Sequence, residues 1–176
     1  TKYVETADII TARDLGLKEV GDNKVQEFRD KTSLIDGLDK HFIGRLQKNK
    51  VKYLIGKVAL IQSVDSISLA EEISKQSQKA GVTTNVLLEV NTGEEQKGGF
   101  PLDEVENAVK TISEMPNISV KGLMAMFPLD ADDNQCAKIC LQIRGVYDTM
   151  INSGYDFKHL SIGMSADWKI AVANGS

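Results

Sequence analysis

The sequence predicts an α/β fold, a TIM-type (β/α)8 barrel, and three observations carry that expectation. Short runs rich in Val, Ile and Leu alternate with longer amphipathic stretches along the whole chain, as strands buried on both faces alternate with the helices that cover them. No antiparallel hairpin signal interrupts the series, so each strand is expected to run parallel to the last. Neither Gly-x-Gly-x-x-Gly nor Gly-x4-Gly-Lys occurs, and these are the usual phosphate fingerprints of the open, doubly wound alternative.

Seven β-then-α units follow in order. A strand over residues 2–4 leads into a helix over 6–15 that stops at Gly16, and a strand over 17–21 leads into a helix over 23–36. A strand over 41–44 precedes a basic helix over 49–57, and one over 60–64 precedes a helix over 66–80, with Asp65 or Ser66 as cap and Gly81 as stop. The strand over 85–91 is followed by a helix over 102–114 that ends before Pro116. The strand over 120–126 pairs with a helix over 134–152, and the strand over 159–163 with a helix over 166–174. A closed barrel needs one more strand, because bare sheet edges invite aggregation. Residues 1–176 are therefore expected to form a single barrel domain lacking the start of its first strand and its last strand.

Composition narrows the function. The 176 residues are 41% hydrophobic and 26% charged with only 3 Pro, which suits an ordinary globular core. A net charge of −4 gives no reason to expect a nucleic acid partner. Arg45, Lys48, Lys50, Lys52 and Lys57 form a local basic run, read as a solvated helix face, with docking of an acidic protein or a second phosphate compound as the alternative. Cys136 and Cys140 stand four apart on a predicted helix without nearby His, which suits reduced thiols, a cytoplasmic location and no metal site. No apolar run approaches the roughly 18 residues of a membrane span, so no membrane association is expected.

In a parallel α/β fold, chemistry gathers where strands hand over to helices. Those tips are Lys2, then Gly21, Asp22 and Asn23, residues 44–49, Ser63, residues 91–99, residues 124–126, and Gly163, Met164 and Ser165. The turn Gly163, Met164, Ser165 before a helix start has the build of a phosphate cup, with free backbone N–H groups and a serine hydroxyl aimed at one place. Lys2, nearly flush with its strand, has the placement of an imine-forming amine, which burial would help to keep neutral. An aldehyde bearing a phosphate and held at both points describes pyridoxal 5′-phosphate, with a phosphosugar on a Schiff-base aldolase as the other reading.

The motifs extend that reading. Thr-Lys-Tyr-Val at 1–4, Gly-Asp-Asn-Lys-Val-Gln-Glu at 21–27, His-Phe-Ile-Gly-Arg-Leu-Gln-Lys-Asn-Lys at 41–50, Glu-Val-Asn at 89–91, Lys-Gly-Gly-Phe at 97–100, Gly-Leu-Met-Ala-Met at 122–126 and Leu-Ser-Ile-Gly-Met-Ser-Ala-Asp at 160–167 resemble the pyridoxal phosphate homeostasis protein family. The resemblance runs the length of the chain. It implies a barrel of the alanine racemase N-terminal-domain type, Lys2 as the Schiff-base lysine, Ser165 on the phosphate, Asn23 and Met124 around the cofactor, and His41 on the rim. With Gly163, Met164 and Ser176 these residues make up the expected cofactor-binding set. Two departures stand out: Asp22 where the family has Glu, and a family pattern that continues past Ser176 into a strand carrying an arginine and a glycine of the cofactor site.

The resemblance further implies intracellular pyridoxal phosphate homeostasis, with supply to apoenzymes by a monomer and without turnover. Racemases of this type take their second base, a tyrosine, from a further β-domain, whereas Tyr3, Tyr53, Tyr147 and Tyr155 fall at outward or helical positions suited to packing. The alternatives are a racemase of low activity and a Schiff-base aldolase barrel.

Overall fold

The structure, a computed structural model, describes residues 4–31, 35–94 and 98–176. Six strands, β1 (Glu19–Asp22), β2 (Asp39–Phe42), β3 (Leu60–Val64), β4 (Thr84–Glu89), β5 (Ile118–Ala125) and β6 (His159–Ile162), form one sheet in the order of the chain. Every pairing is parallel. An order that never reverses has no switch point, and right-handed crossovers then put every helix on one face. The other face turns inward, as in a TIM-like barrel wall, which excludes the doubly wound alternative.

Both faces are apolar, and the clusters say which is which. Ile61, Val64, Val86, Leu88, Val120 and Leu123 point out and pack with residues of α3 (Ile67–Ala80), α4 (Val105–Ser113) and α5 (Asp133–Asn152), including Ile73, Val109, Ile112 and Ile143, all buried. Leu60, Leu87 and Met124 form a separate buried cluster with Met126 against it, on the inner face. A third cluster, Ile9, Val20, Ile35 and Leu38, seals β1 beneath α1 (Thr6–Asp14).

Strands come where the apolar runs lie, while several helices differ from expectation. The helix foreseen over 23–36 is α2, Val25–Lys31; Ile35 and Leu38 turn back into the α1 cluster, with Gly37 at φ 80° between them. The basic stretch forms a short 3-10 helix, Lys48–Tyr53, since Lys48, Lys50 and Lys52 repel and Gly56 at φ 73° follows closely. The last helix, α6, spans only Trp168–Ala173. Ser66 does sit at the start of α3, but its hydroxyl donates to Asp65 Oδ1 at 3.0 Å and does not cap the helix. The best-built start is that of α5: Gln135 N donates to Asp132 Oδ1 and Asp132 N donates to Gln135 Oε1, each at 2.8 Å.

Of the strand foreseen over 2–4, Lys2 and Tyr3 lie outside the described residues. Val4 is exposed, and its carbonyl accepts from Lys31 Nζ at 2.9 Å, which ties the start of the chain to α2.

Candidate functional site

A cleft of about 480 Å³ opens at the C-terminal ends of the strands. Its wall begins where β1 and β2 leave the sheet. Ile43 N donates to the Asp22 carbonyl at 2.9 Å, drawing the two exits together. A Cβ on Gly44 would fall 2.0 Å from the Asn23 carbonyl oxygen, so only glycine lets the chains pass this closely. From the other side Ser63 Oγ donates to the Gly44 carbonyl at 2.6 Å. Asn23 is thereby fixed on the cleft wall, and its Oδ1 is buried without a hydrogen-bond partner among the described residues. A buried amide oxygen in that state is an acceptor suited to a ligand donor.

The inner faces of β3, β5 and β6 supply the floor. Met124, 5% exposed, packs with Leu60 and Leu87 as an apolar surface. Beside it Ser161 Oγ donates to Gln62 Oε1 at 2.8 Å, and Gln62 Nε2 donates to His41 Nδ1 at 3.0 Å. With Gln62 Nε2 as the donor, His41 Nδ1 is the acceptor, an arrangement that a neutral imidazole provides. Burial pushes the His41 pKa below its ordinary value, with His159 adding to the effect and Glu19 and Asp39 opposing it.

At the far end stands the turn after β6. Gly163 has φ 94°, a conformation that disfavours side chains, and a Cβ there would lie 3.0 Å from both Ala171 Cβ and Asp167 Oδ1. Met164 N donates to Asp167 Oδ1, and Asp167 N and Trp168 N donate to the Met164 carbonyl at 3.2 and 3.0 Å. An oxyanion of the chain itself thus sits on the amide that the sequence assigned to phosphate. With α6 only six residues long, the turn and its amides carry the anion preference more than any helix dipole does.

Asp65, Glu89 and Gly98 complete the lining on the β3 and β4 side. Asn91 Oδ1 accepts from Gly93 N and Glu94 N at 2.8 and 3.0 Å, folding the following loop on itself. A Cβ on Gly98 would lie 2.9 Å from Asp65 Oδ2, so the loop returns directly against that carboxylate.

Of the expected set, the cleft brings together Asn23, Met124, Gly163 and Met164. Ser165 is exposed on the same turn and is not part of the lining. His41 and Ser176 line a neighbouring cavity of about 370 Å³ that shares Gln62 and Ser161 with the cleft. Ser176 Oγ lies 3.1 Å from the Leu160 and Ile162 carbonyl oxygens, either of which its one proton can reach, and accepts from Ile162 N at 3.0 Å, which holds it on the edge of β6. Lys2 lies outside the described residues, as does Lys97. The sequence reading missed Gln62, Glu89 and Ser161 as lining residues. Strand alternation was the available signal for Glu89 and Ser161, each of which stands between apolar neighbours, whereas Gln62 is followed by the polar Ser63.

The residues present fit pyridoxal phosphate: an anion-accepting turn at one end, an apolar surface for a ring, and an unpartnered buried acceptor at Asn23. Among the described residues no cluster of His, Cys, Asp and Glu could hold a metal, and no helix is long and apolar enough to cross a membrane. Cys136 and Cys140 are buried free thiols whose pKa values burial raises.

Comparison with known proteins places this arrangement. Residues 7–172 match the family described as Alanine racemase, N-terminal domain. The pyridoxal phosphate homeostasis protein of Aquifex aeolicus is 41% identical over 165 residues, covering 92% of this chain and 72% of the relative. PipY of Synechococcus elongatus PCC7942, solved with pyridoxal phosphate bound, superposes with a TM-score of 0.86 at 27% identity over 99% of this chain and 84% of its own. An alanine racemase of Clostridium difficile, at 15% identity and a TM-score of 0.78 over 92% of this chain and 42% of its own, shares the fold. The chain belongs to the pyridoxal phosphate homeostasis protein family, built on the barrel of the alanine racemase N-terminal domain.

Proposed function

We propose that this chain binds pyridoxal 5′-phosphate in the cleft and serves intracellular homeostasis of the cofactor, handing it to apoenzymes as a monomer without turning over substrate. The observation that carries the reading is the placement of the Gly163 turn and of Asn23 Oδ1, buried without a partner among the described residues, around one apolar floor. When bound, the cofactor supplies an aldehyde that a lysine amine holds reversibly, and Lys2 is the amine assigned to it. The turn of Gly163, Met164 and Ser165 binds the phosphate, with the Ser165 hydroxyl as a donor and the Met164 amide joining once it leaves the Asp167 carboxylate that now accepts from it. Met124 excludes water from one side. Gln62, held between Ser161 and neutral His41, presents a fixed polar edge and carries no mobile proton of its own.

A carrier needs no second base, and the described tyrosines support that. Tyr53 lies under cations, while Tyr147 and Tyr155 pack on Phe157 with ring centroids 5.5 and 6.3 Å away. The test is direct. The loaded protein, mixed with a pyridoxal phosphate-dependent apoenzyme, should restore its activity, and should exchange the Cα hydrogen of L- or D-alanine in deuterated water no faster than free cofactor does. Sustained exchange above the free-cofactor rate would mark an enzyme and overturn the carrier reading.

A further inference from the structure

Beside the cleft, cations from separate segments converge on one aromatic ring. The Arg29 guanidinium on α2 lies 4.6 Å from the Tyr53 ring centroid, with Lys52 Nζ at 5.2 Å and Lys50 Nζ at 5.8 Å. Arg45, from the exit of β2, joins Arg29, Lys50 and Tyr53 around a pocket of about 360 Å³. Gln47 lines it as well, as does Gln26, whose Nε2 donates to Asp30 Oδ1 at 2.9 Å. Among the described residues, Arg29, Arg45, Lys50 and Lys52 form no salt bridge. Lys24, at the margin, is already paired with Glu27 at 3.2 Å.

Gathering like charges costs free energy, and in a chain of net charge −4 nothing global demands it. Sequence alone predicts Arg45, Lys50 and Lys52 on one solvated helix face, yet Arg45 stands at the β2 exit and the lysines on a 3-10 helix, and with Arg29 of α2 they gather beside a concavity. We propose that this pocket is a second anion site, separate from the turn at Gly163, and that it takes a small phosphomonoester. Arginine forks match phosphate oxygens in pairs, and lysine adds a point charge. A pocket of this size admits a small molecule, whereas a protein surface would call for a broad, open patch.

The probes are inorganic phosphate and glycerol phosphate, titrated into the full chain and followed by backbone amide NMR. Saturable shifts should appear at residues 24–29 and 45–53, and affinity should fall about tenfold or more in Arg29→Gln/Lys50→Gln, as expected when charge-assisted bonds are lost. Lys138→Gln, a distant exposed cation, should leave affinity unchanged. Because both substituted side chains of the double variant are exposed, its amide spectrum should stay dispersed; Lys50→Gln alone provides the same readout at smaller amplitude. Shifts that never saturate and are reproduced by sodium chloride at equal ionic strength would overturn the proposal. So would saturable shifts confined to residues 163–168, an unchanged affinity in both variants, or binding of poly-glutamate where neither phosphate probe binds.

Discussion

The middle of the sheet and its margins are built to different rules. In β3 four of five residues are buried and in β4 four of six, and Ile61, Val64, Val86, Leu87 and Leu88 have essentially no exposure. In β1, β2 and β6 only one or two of four residues are buried. Yet the margins supply Asn23, Gly44, Gly163 and Met164, which face one another across the cleft, while the middle gives the floor of Gln62, Glu89 and Met124. Stability is therefore concentrated in the centre and recognition in the strand exits, so substitutions in the two regions should separate folding from cofactor binding.

The largest expected effect tests the centre. Leu88→Ala removes a fully buried side chain and should cost about 2–5 kcal/mol in urea unfolding, whereas Ile43→Ala, at a position 41% exposed on the cleft wall, should stay within about 0.5–1 kcal/mol. Equal losses at the two would erase the distinction.

Gly44→Ala comes next. Its Cβ would collide with the Asn23 carbonyl, and relief requires moving the β1 or β2 exit. Roughly 1–3 kcal/mol of stability should go, together with most cofactor affinity, measured by equilibrium titration. Unchanged affinity would mean that the approach of the two exits does not shape the site.

Asn23→Ala sharpens the point with a smaller effect. Cofactor affinity should drop about tenfold, or ~1.4 kcal/mol, the scale of one buried hydrogen bond. Stability of the unliganded chain should hold or rise slightly, because the substitution deletes a buried oxygen that has no partner among the described residues. A less stable unliganded variant would show that Asn23 serves the fold.

The smallest effect is one of pH. Lys121 on β5 and Lys158, which donate to Asp156 at 2.7 and 2.6 Å, lower its pKa from 3.8 to about 2. The folded state thus favours the carboxylate, so this contribution is complete above about pH 4 and fades as pH falls toward 2. Exposure keeps it small. Acid titration of thermal stability for Asp156→Asn against the parent checks it, and the two curves should approach one another only below about pH 4.

The central architecture was legible because runs such as Leu60–Val64 and Thr84–Glu89 carry apolar residues on both faces and each is followed by an amphipathic stretch with no hairpin signal, as covered parallel strands are. The turn at Gly163 was legible for a local reason, since a glycine at a strand end, followed by Met164 and Ser165, permits the positive φ that a sharp exit from the sheet needs. Gln62 was hidden: next to Ser63 in a strand that is otherwise apolar it breaks the alternation, and only the register aims it inward at Ser161 and His41. His41 and Ser176 entered through resemblance, and strand register sets both in the cavity next to the cleft. The capping box at Asp132 was obscured because Asp130, Asp132 and Asp133 crowd the same turn and each is a plausible cap.

The most direct test of the account is reduction of the loaded protein. Incubated with pyridoxal 5′-phosphate, the chain should show a visible absorption band that borohydride abolishes, and peptide mass mapping should then find one phosphopyridoxyl group, on Lys2. Absence of the band, or a label that falls on other lysines while Lys2 stays unmodified, would contradict the claim that this cleft is the cofactor site.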